Sequence, residues 1–350
     1  MSGAPDYFRP TWAEVDTAAF SRNIDAIVRL LPERARLIAV LKANAYGHGA
    51  AELARVCDPQ RVAMIAVALL EEALHLRRAG ITLPVIVFGP VGTRGIVAAV
   101  ENDITLGVPG PEELALACDV ARSRDVHVHL KLDSGMGRMG VTEWELPDVV
   151  DRIRATPRLH VDAVYTHFAS ADTDPVFTTE QIERFDRMRK VIDAPLHHFA
   201  NSPALLRGLV RPGDFARIGI ALFEGVMRWR TEIARLKTLP PGHAIGYGAT
   251  FRTTRESRIA TLPVGYADGF NRLQSNNGSV LVRGRRAPIA GRVSMDLVTI
   301  DVTDIAGAAV GDEVVLLGDG ITADEIAART DTISHEVFCN ISARVPRVHR

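Results

Sequence analysis

The chain has 350 residues, is 47% hydrophobic and 24% charged, and carries a net charge of −1. That length suits one large domain plus a smaller one with a sizeable core, and the balanced charge offers no basic excess for nucleic acid or an anionic membrane surface. No apolar run reaches the roughly 18 residues of a membrane span, Met1–Pro10 lacks the apolar core of a signal peptide, and Cys57, Cys118 and Cys339 show no zinc or disulfide spacing, so they read as reduced structural thiols suited to a cytoplasmic protein.

The first element in chain order is a helix over Thr17–Leu31, where Phe20, Ile24, Ile27 and Leu31 recur at helical spacing. Short β-branched runs then alternate with amphipathic stretches. The expected strands are Leu37–Lys42, Arg61–Val67, Pro84–Phe88, Ile104–Val108, Val126–Leu132, Val161–His167, Leu196–Phe199 and Phe215–Ile220. Helices are expected between them, near Ala51–Cys57, Glu71–Ala79, Arg94–Glu101, Pro111–Arg122, Glu145–Ala155, Thr179–Ile192 and Pro203–Leu209. Such alternation implies a parallel sheet with helical crossovers. Eight strands in this span predict a closed eight-stranded α/β barrel, with an open doubly wound sheet as the competing arrangement. After about Glu224 helical periodicity nearly vanishes. Short apolar runs, Ser257–Val264, Ser279–Val282, Ala287–Ala290, Leu297–Val302 and Glu313–Leu317, are separated by Gly and Asp and predict a small, mostly-β domain. The expected division is a barrel over residues 12–226 and a β domain over 227–350, on which the first few residues could also pack.

In such a barrel, reacting groups gather on the C-terminal face, where strands end and loops begin. The first strand leads into Ala39-Val40-Leu41-Lys42-Ala43-Asn44-Ala45-Tyr46-Gly47-His48-Gly49. Lysine is an odd choice for packing at the end of an apolar strand. Desolvation there would lower its pKa and make the amine nucleophilic, and a Schiff base to an aldehyde is the natural chemistry. The plain alternative is a lysine that snorkels to water.

The whole run resembles, nearly letter for letter, the cofactor-lysine motif of the alanine racemases, which are pyridoxal-phosphate enzymes of fold type III. The resemblance extends from Trp12-Ala13-Glu14-Val15-Asp16 to Arg344-Val345-Pro346-Arg347. It implies a barrel followed by a β domain, working as a head-to-tail homodimer with shared active sites. Lys42 would then hold pyridoxal 5'-phosphate. In Lys131-Leu132-Asp133-Ser134-Gly135-Met136-Gly137-Arg138-Met139-Gly140, the resemblance places Arg138 on the substrate and makes Lys131 a carbamylated lysine that orients it. A carbamate is an anion, suited to a bidentate pair with a guanidinium. Arg217 would contact the pyridine nitrogen, with His167 beside it. Arginine does not protonate that nitrogen, so the ring is a weaker electron sink than with an aspartate partner, and side reactions are disfavoured. Asn201, Ser202, Gly219, Ile220 and Tyr46 match the phosphate grip, at the corner where barrels often bind phosphate. Read by itself, Ser202 is a helix cap before Pro203.

The β domain supplies Ile245-Gly246-Tyr247-Gly248-Ala249-Thr250-Phe251, Pro263-Val264-Gly265-Tyr266-Ala267-Asp268-Gly269 and Gly291-Arg292-Val293-Ser294-Met295-Asp296. By the same resemblance, Tyr247 is the second catalytic base, reaching in from the partner subunit. Tyr266 lines the entrance, and the Met295 N–H helps hold the substrate carboxylate. The expected reaction is interconversion of L-alanine and D-alanine by two opposed bases, Lys42 and Tyr247. The rival readings are a fold type III decarboxylase and a non-catalytic cofactor carrier. Against the first, decarboxylases on this plan generally lack the Tyr-Gly-Ala-Thr run; against the second, single-domain carriers lack the β domain. One departure concerns the pocket. Many family members carry tyrosine where this chain has Ala343, which predicts weaker phosphate anchoring and a site that admits serine besides alanine.

Overall fold

The computed structural model describes residues 8–350. The chain divides into two compact units. One contains Phe20–Ala45 and Ala50–Glu224; the other contains, of the described residues, 8–19, Tyr46–Gly49 and Gly225–Arg350.

The first unit is a closed barrel of eight strands. In order they are Arg36–Val40, Val62–Val67, Val85–Val87, Ile104–Val108, Val126–Lys131, Leu159–Tyr165, Leu196–His198 and Phe215–Ile218. Each pairs in parallel with the next, and the first closes on the eighth, with Ile38 opposite Arg217. That closure excludes the open sheet. Parallel strands covered on both faces read as continuous apolar runs, and Leu37–Val40 and Val85–Val87 are buried throughout. Crossover helices lie between the strands. One of them, Pro111–Val120, opens on proline directly after Gly110, where the missing N–H costs nothing.

The second unit holds a six-stranded sheet in the order Arg285–Pro288, Ser279–Val282, Glu313–Leu317, Met227–Glu232, Thr11–Val15 and Arg347–His349. A three-stranded sheet of Arg235–Leu239, Ser257–Leu262 and Val298–Asp301 accompanies it. Thr11–Val15 runs antiparallel to Met227–Glu232 and parallel to Arg347–His349, so both ends of the described chain enter one sheet. Contrary to the expected loss of helical structure, this unit also carries helices at Ala323–Arg329 and Ser334–Asn340. Each has 7 residues, about two turns, too few to imprint a period on the sequence. Among the described residues, no helix is long and apolar enough to cross a membrane.

Candidate active site

Lys42 does not end a strand. The strand stops at Val40, and Ala43, Asn44, Ala45 and Tyr46 follow with φ of 52°, 54°, 54° and 52°, one turn of left-handed helix without a glycine. L-residues in this conformation are disfavoured by roughly 1–2 kcal/mol each, so neighbouring groups must hold the turn. The Ala45 N–H donates to Leu41 O at 2.8 Å, and the Ala50 N–H donates to the Asn44 side chain at 2.8 Å. Lys42 itself is exposed. The run then passes through Gly47, at φ 78°, where a Cβ would lie 2.7 Å from Phe338 O. Tyr46 is buried with its ring 5.7 Å from that of His335, and burial raises its phenol pKa.

Inside the barrel, Arg217 organises a polar layer. Its Nη1 donates to His198 O and lies 2.8 Å from His198 Nδ1; its Nη2 donates to Thr166 O at 2.6 Å and to Phe199 O at 3.3 Å, and lies 3.2 Å from His167 Nδ1. His198 Nε2 is 2.9 Å from His129 Nδ1, and the Tyr165 ring stacks on His198 at 4.7 Å. The strands bearing His129 and His198 are separated by Leu159–Tyr165, so this contact crosses the barrel interior. Among the described residues Arg217 has no carboxylate partner, and its Nε–H is the one donor left unengaged. Burial pushes its pKa down to about 10. Burial and then the Arg217 charge push His129 down to about 3. His167 is also pushed down to about 3, by burial first and then by Arg217, Lys131, Arg138 and Lys42. Four cations therefore converge at this end of the barrel.

Lys131 is buried, and burial followed by Arg138 and Arg217 lowers its pKa to about 8. It makes no ion pair among the described residues. Arg138 is exposed on a loop that Asp133 ties down by accepting from the N–H groups of Gly135, Met136 and Gly137 at 2.9, 2.9 and 3.0 Å. At the phosphate corner, Asn201 rather than Ser202 caps the helix Ser202–Leu206, accepting from the Ala204 N–H at 3.1 Å. Ser202 is the buried first residue of that helix, and its hydroxyl accepts from the Gly219 N–H at 3.3 Å. Ile220 opens the following short helix, Ile220–Phe223.

In the β unit, Tyr247, Tyr266 and Met295 are 71%, 42% and 53% exposed. The Tyr266 N–H donates to Ser294 O, and the Ala267 N–H donates to Met295 O, both at 3.0 Å, so the Tyr266 and Met295 segments are stitched together. Buried Asp268 braces this turn: it accepts from the Gly265 N–H at 3.0 Å and takes both Arg9 Nη groups at 2.8 Å. The Tyr247 turn, with φ of 70° and 73° at Gly246 and Gly248, packs against Arg292, in the same segment as Met295. Asp296 pairs with Arg344 at 2.7 Å, and Ala343 is exposed.

Residues 15–226 match the family model for the alanine racemase N-terminal domain, and residues 226–349 match that for the C-terminal domain. The chain belongs to the alanine racemase family. It is 42% identical to an alanine racemase of Sorangium cellulosum, covering 98% of this chain and 99% of that one. It is 41% identical to one of Halothermothrix orenii, covering 98% and 97%. The solved alanine racemase of Bacillus anthracis with bound L-Ala-P superposes at a TM-score of 0.91 and 36% identity, over 99% of this chain and 96% of that chain.

Against this alanine racemase background, the sequence reading passed over His129, Tyr165, His198, Asp268 and Arg9. His129 had a signal. In a strand of period two, His129 and Lys131 share one face, so the lysine singled out there implied a polar face for its neighbour. Arg9 had none, because its partner lies 259 residues away.

Proposed function

We propose that this chain is a cytoplasmic, homodimeric enzyme that interconverts L-alanine and D-alanine, with pyridoxal 5'-phosphate held as a Schiff base by Lys42. The observation that carries this reading is the convergence of Lys42, Lys131, Arg138 and Arg217 on His167, in a site of which the Arg217 Nε–H is left unengaged. These residues fit the cofactor: a buried, fully charged guanidinium suits an unprotonated pyridine nitrogen, and the surrounding cations suit phosphate and carboxylate. Ser202, Gly219, Ile220 and Asn201 are assigned to the phosphate end, together with the Tyr46 phenol.

When bound, the cofactor withdraws electrons from the amino acid and makes its Cα proton acidic. Lys42 moves that proton on the D face. Tyr247 of the partner subunit moves it on the L face. Arg138 and the Met295 N–H hold the substrate carboxylate, and Tyr266 narrows the entrance. Carbon dioxide adds only to a neutral amine. With a pKa near 8, Lys131 is about one-tenth neutral at pH 7, which supports its conversion to a carbamate that pairs with Arg138. The exposure of Tyr247, Tyr266, Met295 and Leu297 in one unit supports a partner covering this face.

Two variants test the reading. Lys42→Ala should lose the Schiff-base absorption of the bound cofactor; retention of that band would rule out the assignment. Tyr247→Phe should stop deuterium exchange at Cα of L-alanine while sparing D-alanine; equal loss in both directions would rule out two opposed bases.

A further inference from the structure

We propose that Glu72 is a positioning residue for Lys42, acting through the left-handed turn that follows it. Glu72 is the third residue of the helix Leu70–Arg78. Its Oε2 does the ordinary work of that position, accepting from the N–H groups of Ala68 and Leu69 at 2.9 and 3.1 Å. Its Oε1 does something a helix cap does not require: it accepts from the N–H of Ala43, 29 residues earlier, at 2.6 Å. Ala43 is the first left-handed residue of the turn and directly follows Lys42. The Ala43 N–H belongs to the same rigid peptide plane as the Lys42 carbonyl. Fixing that N–H fixes ψ of Lys42, and with it the direction in which Cα–Cβ launches the amine.

One carboxylate thus ties the loop after the second barrel strand to the strained turn after the first. Strained backbone persists only where its surroundings over-determine it, and a hydrogen bond to a charged group is the strong kind. Glu72 touches the peptide after Lys42 and not its amine, so its effect is on aim. The inference rests on the assignment of Lys42 as the cofactor lysine, but the hold of Glu72 on the turn does not need that assignment.

The test uses the full chain with Glu72→Asp and Glu72→Gln. Aspartate at this position still caps the helix but is one methylene too short to reach Ala43. Glutamine keeps the length but offers one accepting atom in place of two. Hydrogen–deuterium exchange without cofactor should accelerate about tenfold or more at residues 43–46 in both variants. Exchange over residues 73–78 of the helix itself should stay within about twofold. With limiting pyridoxal phosphate, borohydride trapping at Lys42 should fall about tenfold, and Ala43→Gly, which removes the penalty on positive φ, should recover part of it. If turn and helix loosen together, or the turn stays protected, or glycine gives no rescue, Glu72 is only a cap and the proposal is overturned. Absence of trapping at Lys42 in the unsubstituted chain would instead overturn the cofactor assignment, and the exchange pattern would still decide the role of Glu72.

Discussion

His129, His167 and His198 are each held neutral, and each for the same two reasons in the same order, burial and then the charge of Arg217. In the unfolded chain they titrate near pH 6.5, whereas in the folded chain His129 and His167 do so near 3. Between those values the unfolded state holds protons that the folded state does not. Their contribution is therefore complete above about pH 6.5 and is lost as the pH falls toward 3, each group adding a slope of up to about 1.4 kcal/mol per pH unit. Replacing His129 by Gln should make the acid limb of a denaturant-midpoint curve shallower between pH 6.5 and 4; an unchanged limb would show that His129 is not the neutral buried group described. Ala343, which the resemblance puts at the pocket wall, is exposed and supplies no hydroxyl. Ala343→Tyr should lower the kcat/KM ratio of serine to alanine several-fold, by refilling space that a hydroxymethyl group needs. An unchanged ratio would locate the determinant elsewhere, for instance at Phe338, which packs on His48 at 5.1 Å.

Two short turns carry much of the proposed site, and they are built differently. The turn after Lys42 is strained and held from outside. The Gly265–Asp268 turn is relaxed but crowded: a Cβ on Gly265 would lie 2.2 Å from Met295 O, closer than any contact can be. Gly265→Ala should push the Met295 segment away from Tyr266 and lower kcat/KM by at least about tenfold, with a smaller proportional effect on thermal stability. Wild-type kinetics in that variant would mean that the Met295 segment does not help place the substrate. Neither turn was legible beforehand. Residues 42–46 contain no glycine, so nothing in their composition announces positive φ. The crowding at Gly265 arises from a segment 30 residues away.

For the molecule as a whole, the proposal that the partner subunit supplies one base has a direct consequence. Co-expressed Lys42→Ala and Tyr247→Phe chains should form hybrid dimers in which one site keeps both bases and the other has neither. With random pairing, about a quarter of wild-type racemisation should return, although each variant is inactive by itself. No recovery in purified hybrid dimers would place Tyr247 and Lys42 of one chain in the same site.

The amino-acid sequence determined the eight barrel strands to within a few residues, because strands buried on both faces must be apolar along their whole length. It singled out Lys42 by its place after an apolar run, whereas Lys131, Arg138, His167 and Arg217 came from the resemblance to the alanine racemases. What it did not contain was pairing at long range. Closure of the barrel through Ile38 and Arg217, the entry of Thr11–Val15 into the β sheet, and the reach of Glu72 to Ala43 each join residues far apart in the chain. The left-handed turn likewise exists only because such contacts outweigh the local preference of Ala, Asn and Tyr for negative φ. Composition and period record what each segment tends to do by itself, and only the folded chain decides which of those tendencies is overruled.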